Sequence, residues 1–293
     1  MQEVDPVFYE IAKFYEMDPG VDLMEITSKL LQSPLVEERE KQSMRNGRKV
    51  FLFTYPSDQL SIKGIISFTS HVEKNPLLLY LRGGNRLFGL PSPGMCWICC
   101  DPYTTISTTY RGGVSEGHDE FGGNDVNDVK NLIDFLPILQ KKLDLALPSH
   151  PMTLLGASRG GMQMFLALAR FPELQQRFNK IISLSGLLDL RQMILTRPDM
   201  KKMFIDDFGL KQGIHDEAWI NQRDPLLAAS KIDKQLPVYI IQGTDDQQIN
   251  LKQGYNMVNT LQFGGGKVHY KEFSGATHCL KNIQNRATIV LNC

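Results

Sequence analysis

The sequence predicts an α/β fold, an open and mostly parallel, doubly wound sheet with helices between its strands. Two observations support this prediction. From residue 76 onward, short apolar runs alternate with segments of helical length. Each of these runs also ends in a polar or glycine-rich loop, as strands of parallel sheets do when both of their faces are buried and their carboxyl ends carry the working groups.

The first 45 residues form a predicted helical N-terminal segment. Apolar residues recur at helical spacing over residues 6–17 and again over residues 21–31, with the helix-breaking sequence DPG between them. Residues 45–55 then predict a turn that leads into a strand. A second strand is predicted over residues 62–69, and the two strands pair through the sequence PSDQLS.

The later strands are predicted from apolar runs that stop at a polar loop. These runs are PLLLYLR, YTTISTTY, PMTLLGAS, KIISLSG and PVYIIQG, with KVHYKEF as a final strand. Residues 124–143 predict a helix with Asn124 or Asp125 as its N-cap, and Pro137 would kink this helix or start a second segment. A buried helix over residues 162–171 and an amphipathic helix over residues 249–262 complete the alternation of strand and helix.

Composition excludes several classes of protein. The formal net charge is zero, which argues against a nucleic acid or an anionic membrane surface as partner. No apolar run reaches the roughly 20 residues that span a bilayer. The N-terminal sequence is acidic and has no apolar core of a signal peptide, so we expect a cytoplasmic protein.

Cysteine usage points the same way. The chain has five cysteines, an odd number, and three of them are crowded together, so a disulfide framework is not expected. The spacing of Cys96 and Cys99 could indicate a metal site, but no second Cys/His pair lies at zinc spacing. We therefore interpret these residues as buried thiols and predict neither a metal nor a cofactor.

The strongest local motif is Gly156-Ala157-Ser158-Arg159-Gly160, which matches G-x-S-x-G. A sharp strand-to-helix turn would expose the Ser158 hydroxyl at a helix N-terminus, where the amide of Arg159 can donate to an oxyanion. The alternative, a dinucleotide-binding loop, requires G-x-G-x-x-G and an acidic residue about 20 residues later, and the spacing does not fit. The motif thus predicts a nucleophilic serine.

A nucleophilic serine needs a base, and the base needs an orienting acid. Of the histidines after Ser158, His215 lies in a polar helical segment and His269 lies inside a predicted strand. His278 follows that strand in a loop of small residues, so it is the candidate base. The acid should follow the preceding strand, where spacing alone leaves both Asp245 and Asp246 open.

Five motifs occur in the order found in one known family. They are YLRGGNRLFG, YRGGVSEGHDEFGGNDVNDVKNLI, GASRGGMQMFLALARFPE, QGTDDQQI and FSGATHC. Over about residues 45–293 the chain resembles the catalytic domain of the prolyl oligopeptidase family of serine peptidases, in its short bacterial form without a propeller. The resemblance implies an α/β-hydrolase fold, with residues 46–293 as the catalytic domain and a helical cap insertion at about residues 189–225.

The resemblance also implies roles for individual residues. Ser158 would be the nucleophile, His278 the base and Asp246, not Asp245, the acid. The loop at Gly83 and Gly84 corresponds to the family's H-G-G loop and would line the oxyanion hole. The sequence departs from the family at three positions, where Arg82 and Gln242 replace histidines and Cys279 replaces a glycine.

The predicted function is a serine hydrolase that cleaves peptide or aminoacyl bonds in a small molecule or short peptide through an acyl-enzyme intermediate. A carboxylesterase or thioesterase with the same triad is the alternative, and a silent binding protein with an inherited pocket is a third possibility that a complete triad disfavours. Asp119 and Glu120 could pair with a free α-ammonium group of the substrate, or they could belong to a solvated acidic loop.

Overall fold

The computed structural model describes residues 6–91, 97–148 and 150–293. These residues fall into two compact units. The first comprises the described residues of Met1–Asp119 and Asn127–Thr153, and the second comprises Glu120–Val126 and Leu154–Cys293. Cys96 lies outside the described residues, so its predicted burial stays a prediction, while Cys99 and Cys100 are buried and Cys279 and Cys293 are partly exposed.

The first unit contains five strands in the spatial order β1-β2-β3-β5-β4. Their bounds are Leu23–Glu25, Lys49–Ser57, Leu60–Phe68, Leu77–Leu81 and Thr104–Thr108, for β1 to β5. Strands β1, β2, β3 and β5 pair antiparallel, whereas β4 and β5 pair parallel. The predicted hairpin is confirmed: Ser57 pairs with Leu60, and the two turn residues between them, Asp58 and Gln59, have φ of 47° and 67°. Positive φ at both positions is the geometry that matches the twist of paired strands.

One of the two helices predicted in the N-terminal segment begins later than the sequence predicts, while the other begins at Pro6 as predicted. The helices of this segment are α1 (Pro6–Ala12), α2 (Thr27–Gln32) and α3 (Glu38–Arg45). The helix predicted over residues 21–31 starts only at Thr27, because Leu23–Glu25 pairs with β2 instead. Leu30, at 0% exposure, still lies on the buried face of α2, so the apolar pattern located the helix and the strand pairing set where it begins.

The second unit contains most of β6 (Met152–Ala157), followed by β7 (Phe178–Leu184), β8 (Val238–Gly243) and β9 (Val268–Phe273), in that spatial order. Strand β8 pairs parallel with β7 on one side and with β9 on the other. All six residues of β6 are buried, as are the five of β4 and the five of β5. Strands of this kind, with helices between them, confirm the predicted α/β class.

Most remaining helices follow the strands of the second unit. Their bounds are Asp125–Lys142, Arg159–Arg170, Leu190–Thr196, Pro198–Phe208, Glu217–Arg223, Pro225–Ala229, Leu251–Phe263 and Arg286–Leu291, for α4 to α11. Helix α4 continues through Pro137 as one element. The predicted cap segment, residues 189–225, is mostly helical, and aspartates at residues 189, 216 and 224 accept hydrogen bonds from the first turns of α6, α8 and α9.

No helix in the described ranges is both long enough and apolar enough to cross a membrane. Within the same ranges, no group of three or more His, Cys, Asp or Glu side chains is arranged to hold a metal ion.

Candidate active site

Ser158 lies in the turn between β6 and α5, with φ of 53° and ψ of −121°. This conformation is costly for a residue with a side chain, so the surrounding structure has to hold it. Three backbone hydrogen bonds do so. The Ser158 N–H donates to the carbonyl of Leu184 at 3.0 Å, and the Ser158 carbonyl accepts from Gly161 at 2.9 Å and from Leu187 at 3.0 Å. The turn is therefore fixed against the carboxyl end of β7.

Gly156, which opens the G-x-S-x-G motif, and Gly161, which directly follows it, leave room for this turn. A Cβ atom at Gly156 would clash with the backbone of Gly160, and one at Gly161 would lie 2.8 Å from the Cα of Gly186. Both distances are too short for any larger residue without movement of the backbone. The sequence predicted this crowding around Ser158, and its physical cause is the close approach of α5 to the strand ends.

Asp246 and His278 lie in contact in the second unit. The Nδ1 atom of His278 is 2.8 Å from Oδ2 of Asp246 and 3.1 Å from Oδ1. Two backbone amides of the same loop, Gln248 at 2.8 Å and Ile249 at 3.0 Å, donate to Oδ1 of Asp246. The two backbone amides thus fix the Asp246 carboxylate through Oδ1, and the carboxylate in turn holds the imidazole of His278 in one orientation.

The neighbouring aspartate has a different environment. The carboxylate of Asp245 is exposed and accepts a hydrogen bond from the Thr244 hydroxyl at 3.2 Å. Its backbone N–H donates to the carbonyl of Ala276 at 3.0 Å, which ties the acid loop to the loop that carries His278. Of the two aspartates that spacing left open, Asp246 is the one that meets His278.

The charges of this pair support each other. Burial raises the pKa of Asp246, but the hydrogen bond and charge of His278 and the two backbone amides lower it more, so it lies below its ordinary value. Burial lowers the pKa of His278, while the adjacent Cys279 side chain and the Asp246 carboxylate raise it more, to about 9. The imidazolium form of His278 is therefore stabilised in the folded protein.

The loop that carries His278 is held by a residue that the sequence analysis missed. The N–H of Cys279 donates to Oγ of Ser185 at 3.0 Å, and Ser185 directly follows β7. Ser185 and Cys279 both have positive φ, 45° and 55°. Since Leu184 accepts from Ser158, consecutive residues at the end of β7 anchor the serine turn and the histidine loop. A lone serine after a strand gave no signal strong enough to find this.

Arg159, the predicted oxyanion donor, is the first residue of α5. Its side chain is 1% exposed and forms an ion pair with Asp125, which is 0% exposed. The guanidinium group also lies 4.3 Å from the centre of the Phe121 ring. Asp125, considered in the sequence only as a helix cap, is therefore a buried partner of the residue that follows Ser158.

Gly83 and Gly84 belong to the first unit, where Arg82 organises their loop. The guanidinium of Arg82, at 0% exposure, donates to the carbonyl of Thr109 at 2.7 Å and to that of Phe88 at 2.9 Å. Gly84 has φ of 68°, and a Cβ atom there would clash with the Phe88 carbonyl. The loop has a defined conformation that requires glycine, and its place in an oxyanion hole stays a prediction.

The two acidic residues predicted to bind a substrate amine accept hydrogen bonds from other residues of the protein. Oδ2 of Asp119 accepts from the Arg86 N–H at 2.8 Å. Glu120 accepts from the backbone N–H of Asn124 at 2.9 Å and from its side-chain amide at 3.1 Å. These bonds give both carboxylates a structural use, and their contact with a substrate amine stays a prediction.

Comparison with known proteins places this site in a family. The model of the prolyl oligopeptidase family matches residues 109–292. The uncharacterized peptidase YtmA of Bacillus subtilis is 25% identical over 259 residues, which is 87% of this chain and 96% of that protein.

Solved structures agree in fold. The acylaminoacyl peptidase of Pyrococcus horikoshii superposes with a TM-score of 0.63 at 19% identity, over 78% of this chain and 37% of that one. A puromycin-hydrolyzing peptidase of Mycobacterium tuberculosis gives a TM-score of 0.60 at 18% identity, over 79% of this chain and 36% of that one. The chain spans little more than a third of these structures. The chain shares the α/β-hydrolase fold with these structures. The family model, which matches more than half of the chain, shows that it belongs to the prolyl oligopeptidase family and is a serine hydrolase.

Proposed function

We propose that this protein hydrolyses peptide or aminoacyl bonds through Ser158, His278 and Asp246 and an acyl-enzyme intermediate. The observation that carries the proposal is the hydrogen bond between Nδ1 of His278 and Asp246, in the unit that also holds the strained Ser158 turn. A carboxylate on Nδ1 keeps the proton on that nitrogen, so Nε2 is left free to accept a proton.

In this mechanism Ser158 attacks the acyl carbon of the substrate while Nε2 of His278 takes the hydroxyl proton. The imidazolium that forms is stabilised by Asp246, whose own pKa lies below its ordinary value, so it remains a carboxylate. His278 then gives the proton to the leaving group, and the bond between the acyl carbon and the leaving group breaks. In the second half, water attacks the acyl carbon while His278 takes its proton, the bond between the acyl carbon and Oγ of Ser158 breaks, and His278 returns the proton to Oγ.

The negative charge that develops on the substrate oxygen needs donors that are already in place. The backbone N–H of Arg159 opens α5, where the helix dipole also favours negative charge. By the family resemblance, the Gly83–Gly84 loop would supply the second donor. The raised pKa of His278 makes its neutral imidazole a stronger base, and below that pKa a smaller fraction of the enzyme carries the neutral form.

The bond class is taken from the family and from the names of its relatives. The family and the Bacillus relative are named as peptidases, and the two structural relatives are named for acylaminoacyl and puromycin hydrolysis. An amide bond on an aminoacyl group is the chemistry that these names share. Ester hydrolysis by the same triad is the other outcome that the test must distinguish.

The test combines active-site labelling with a substrate panel. A fluorophosphonate probe should label the purified protein once, and peptide mapping should place the label on Ser158. Aminoacyl p-nitroanilides, with free and N-acetylated amines, and p-nitrophenyl acetate and butyrate should then be compared by kcat/KM. We expect turnover of at least one aminoacyl anilide. Turnover of the esters alone would replace the peptidase proposal by an esterase, and labelling at a different serine would overturn the proposed nucleophile.

The same panel tests the acidic loop. If Glu120 pairs with a substrate amine, the free aminoacyl anilides should be preferred over their N-acetylated forms, and Glu120→Gln should narrow that preference through KM rather than kcat. Equal turnover of both forms would leave Glu120 only with its bonds to Asn124.

A further inference from the structure

Three residues from two segments of the second unit donate hydrogen bonds to the buried carboxylate of Asp125. It accepts from the Gly122 N–H at 2.9 Å and 3.2 Å, from the guanidinium of Arg159 and from the side-chain amide of Gln163. Gly122 belongs to the loop before α4, whereas Arg159 and Gln163 are one helical turn apart on α5. The carboxylate thus joins this loop to the first turn of the helix that begins after Ser158.

The first turn of α5 has few side chains by which it could be held. Gly160 and Gly161 have none, so Arg159 is the only residue between Ser158 and Met162 with a side chain. That side chain is clamped from two directions, by Asp125 and by the Phe121 ring. Phe121 itself packs against Phe204 and Phe208 of α7, with ring centres 5.2 Å apart in both cases.

The energetics of a buried ion pair favour a positioning role. Removing two charges from water is costly, and apolar side chains of similar size would often serve stability as well or better. Ser158 and the Arg159 amide, however, must be held in a conformation that the backbone does not adopt by preference. A charged, directional contact on the adjacent side chain fixes the orientation of this peptide unit in a way that apolar packing does not.

We propose that Asp125 is a positioning residue of the hydrolase, which acts through Arg159 and Gln163 to hold the nucleophile and the oxyanion-donating amide in place. This inference rests on the proposed function, since it assigns Asp125 to the alignment of Ser158 and the Arg159 N–H. Asp125 itself does not touch the substrate. Its effect should therefore appear in the chemical step and not in substrate binding.

Asp125→Asn is the direct test, because it removes the charge and keeps the shape. We expect kcat to fall at least tenfold, with KM within about twofold of wild type, as for an interaction needed mainly in the transition state. The rate of fluorophosphonate labelling of Ser158 should fall in parallel, and this readout does not depend on the choice of substrate. A purely structural role would lower the melting temperature and leave kcat and the labelling rate unchanged.

Asp128→Asn is the matched control. Asp128 lies on the same helix, is also 0% exposed and is also paired with an arginine, Arg111, at 2.7 Å. Asp128 and Arg111 both belong to the first unit, whereas Ser158, Arg159 and Asp125 belong to the second. We expect this variant to lose stability and keep kcat. An equal loss of kcat in both variants would overturn the proposal.

A double-mutant cycle with Arg159→Gln separates action through Arg159 from independent action. If Asp125 acts through this side chain, adding Asp125→Asn to Arg159→Gln should lower kcat by less than twofold further. A loss of kcat in the double variant equal to the product of the two single losses would overturn the proposal. If Asp125→Asn alone does not fold, the double variant, which leaves no buried charge unpaired, should fold and show the tenfold loss. Wild-type kcat in the folded double variant would also overturn it.

Inactivity of Ser158→Ala beside full activity of Asp125→Asn would refute this inference alone, whereas an active Ser158→Ala would refute the proposed function.

Discussion

A buried arginine precedes a pair of glycines in two turns, one in each unit. The first loop follows β4 and contains Arg82, and the second loop is the turn from β6 into α5, from Ser158 to Gly161. In the first unit, the Arg82 guanidinium donates to backbone carbonyls of its own loop and of Thr109. In the second unit, Arg159 is held by a carboxylate, Asp125, and by an aromatic ring. Arg82 therefore fixes the main chain directly, whereas Arg159 fixes it through a partner whose charge can be removed by one substitution. The same sequence, R-G-G, is therefore stabilised by hydrogen bonds to backbone carbonyls in one turn and by an ion pair and a ring contact in the other.

The largest expected effect comes from the residue that distinguishes the two loops, the serine before Arg159. Ser158→Ala should lower kcat by several orders of magnitude, because the members of a triad act as a unit. The measurement is the turnover of the best substrate of the panel by the folded variant. Residual activity within tenfold of wild type would show that the second loop does not carry the nucleophile.

The next largest effect concerns the acid that serves the second loop. Asp246→Asn should lower kcat by about 10⁴-fold, because the asparagine would favour the wrong tautomer of His278. Asp245→Asn, one residue away and in contact with Thr244 rather than with the histidine, is the matched control and should lower kcat less than tenfold. The opposite ranking of the two variants would contradict the assignment.

The first loop should respond in stability. Arg82→Lys keeps the charge but loses the planar fork, so the buried carbonyl of Thr109 and the carbonyl of Phe88 cannot both keep their present donors. We expect a loss of about 2–4 kcal/mol in the free energy of unfolding, measured by urea denaturation. Lys74→Arg, the reverse exchange in a residue of a short exposed turn, should change stability by less than about 0.5 kcal/mol. If the free energy of unfolding of Arg82→Lys equals that of the wild type, the guanidinium of Arg82 does not stabilise the first loop.

The smallest effect is a shift of the pH profile of the site. His278 acts as a base only when neutral, so kcat/KM should rise with pH through the pKa of His278, which lies above 6.5. Cys279→Ala removes the side chain that helps to raise this pKa, so the rising limb should move to lower pH and activity at pH 6.5 should increase severalfold. Cys293→Ala, a change at a cysteine whose Sγ contacts the Ile289 carbonyl, is the control and should leave the profile unchanged. A profile of Cys279→Ala that coincides with wild type would remove Cys279 from the titration of the base.

Much of the fold and the chemistry follows from local sequence. Continuous apolar runs predicted the buried strands, because a strand covered on both faces has no polar face to show. The small residues around Ser158 predicted the turn, since only glycine fits where α5 approaches the strand ends. The order of the motifs indicated the family, which the match over residues 109–292 confirms.

Other features depend on tertiary contacts that no local pattern contains. Strand β1 replaced part of a predicted helix because the edge of β2 offered hydrogen bonds that outweighed its helical pattern. Ser185 and Asp125 were passed over, as each gains its role from a residue far away in the chain, Cys279 or Arg159. For Asp125 the one available signal was Arg159, the arginine after Ser158, since a buried cation must find a partner. Strands β2 to β9, the serine turn and the family follow from the sequence alone, because these depend on neighbouring residues. Which carboxylate meets which buried cation follows from the tertiary structure, because that depends on which chain segments the fold brings together.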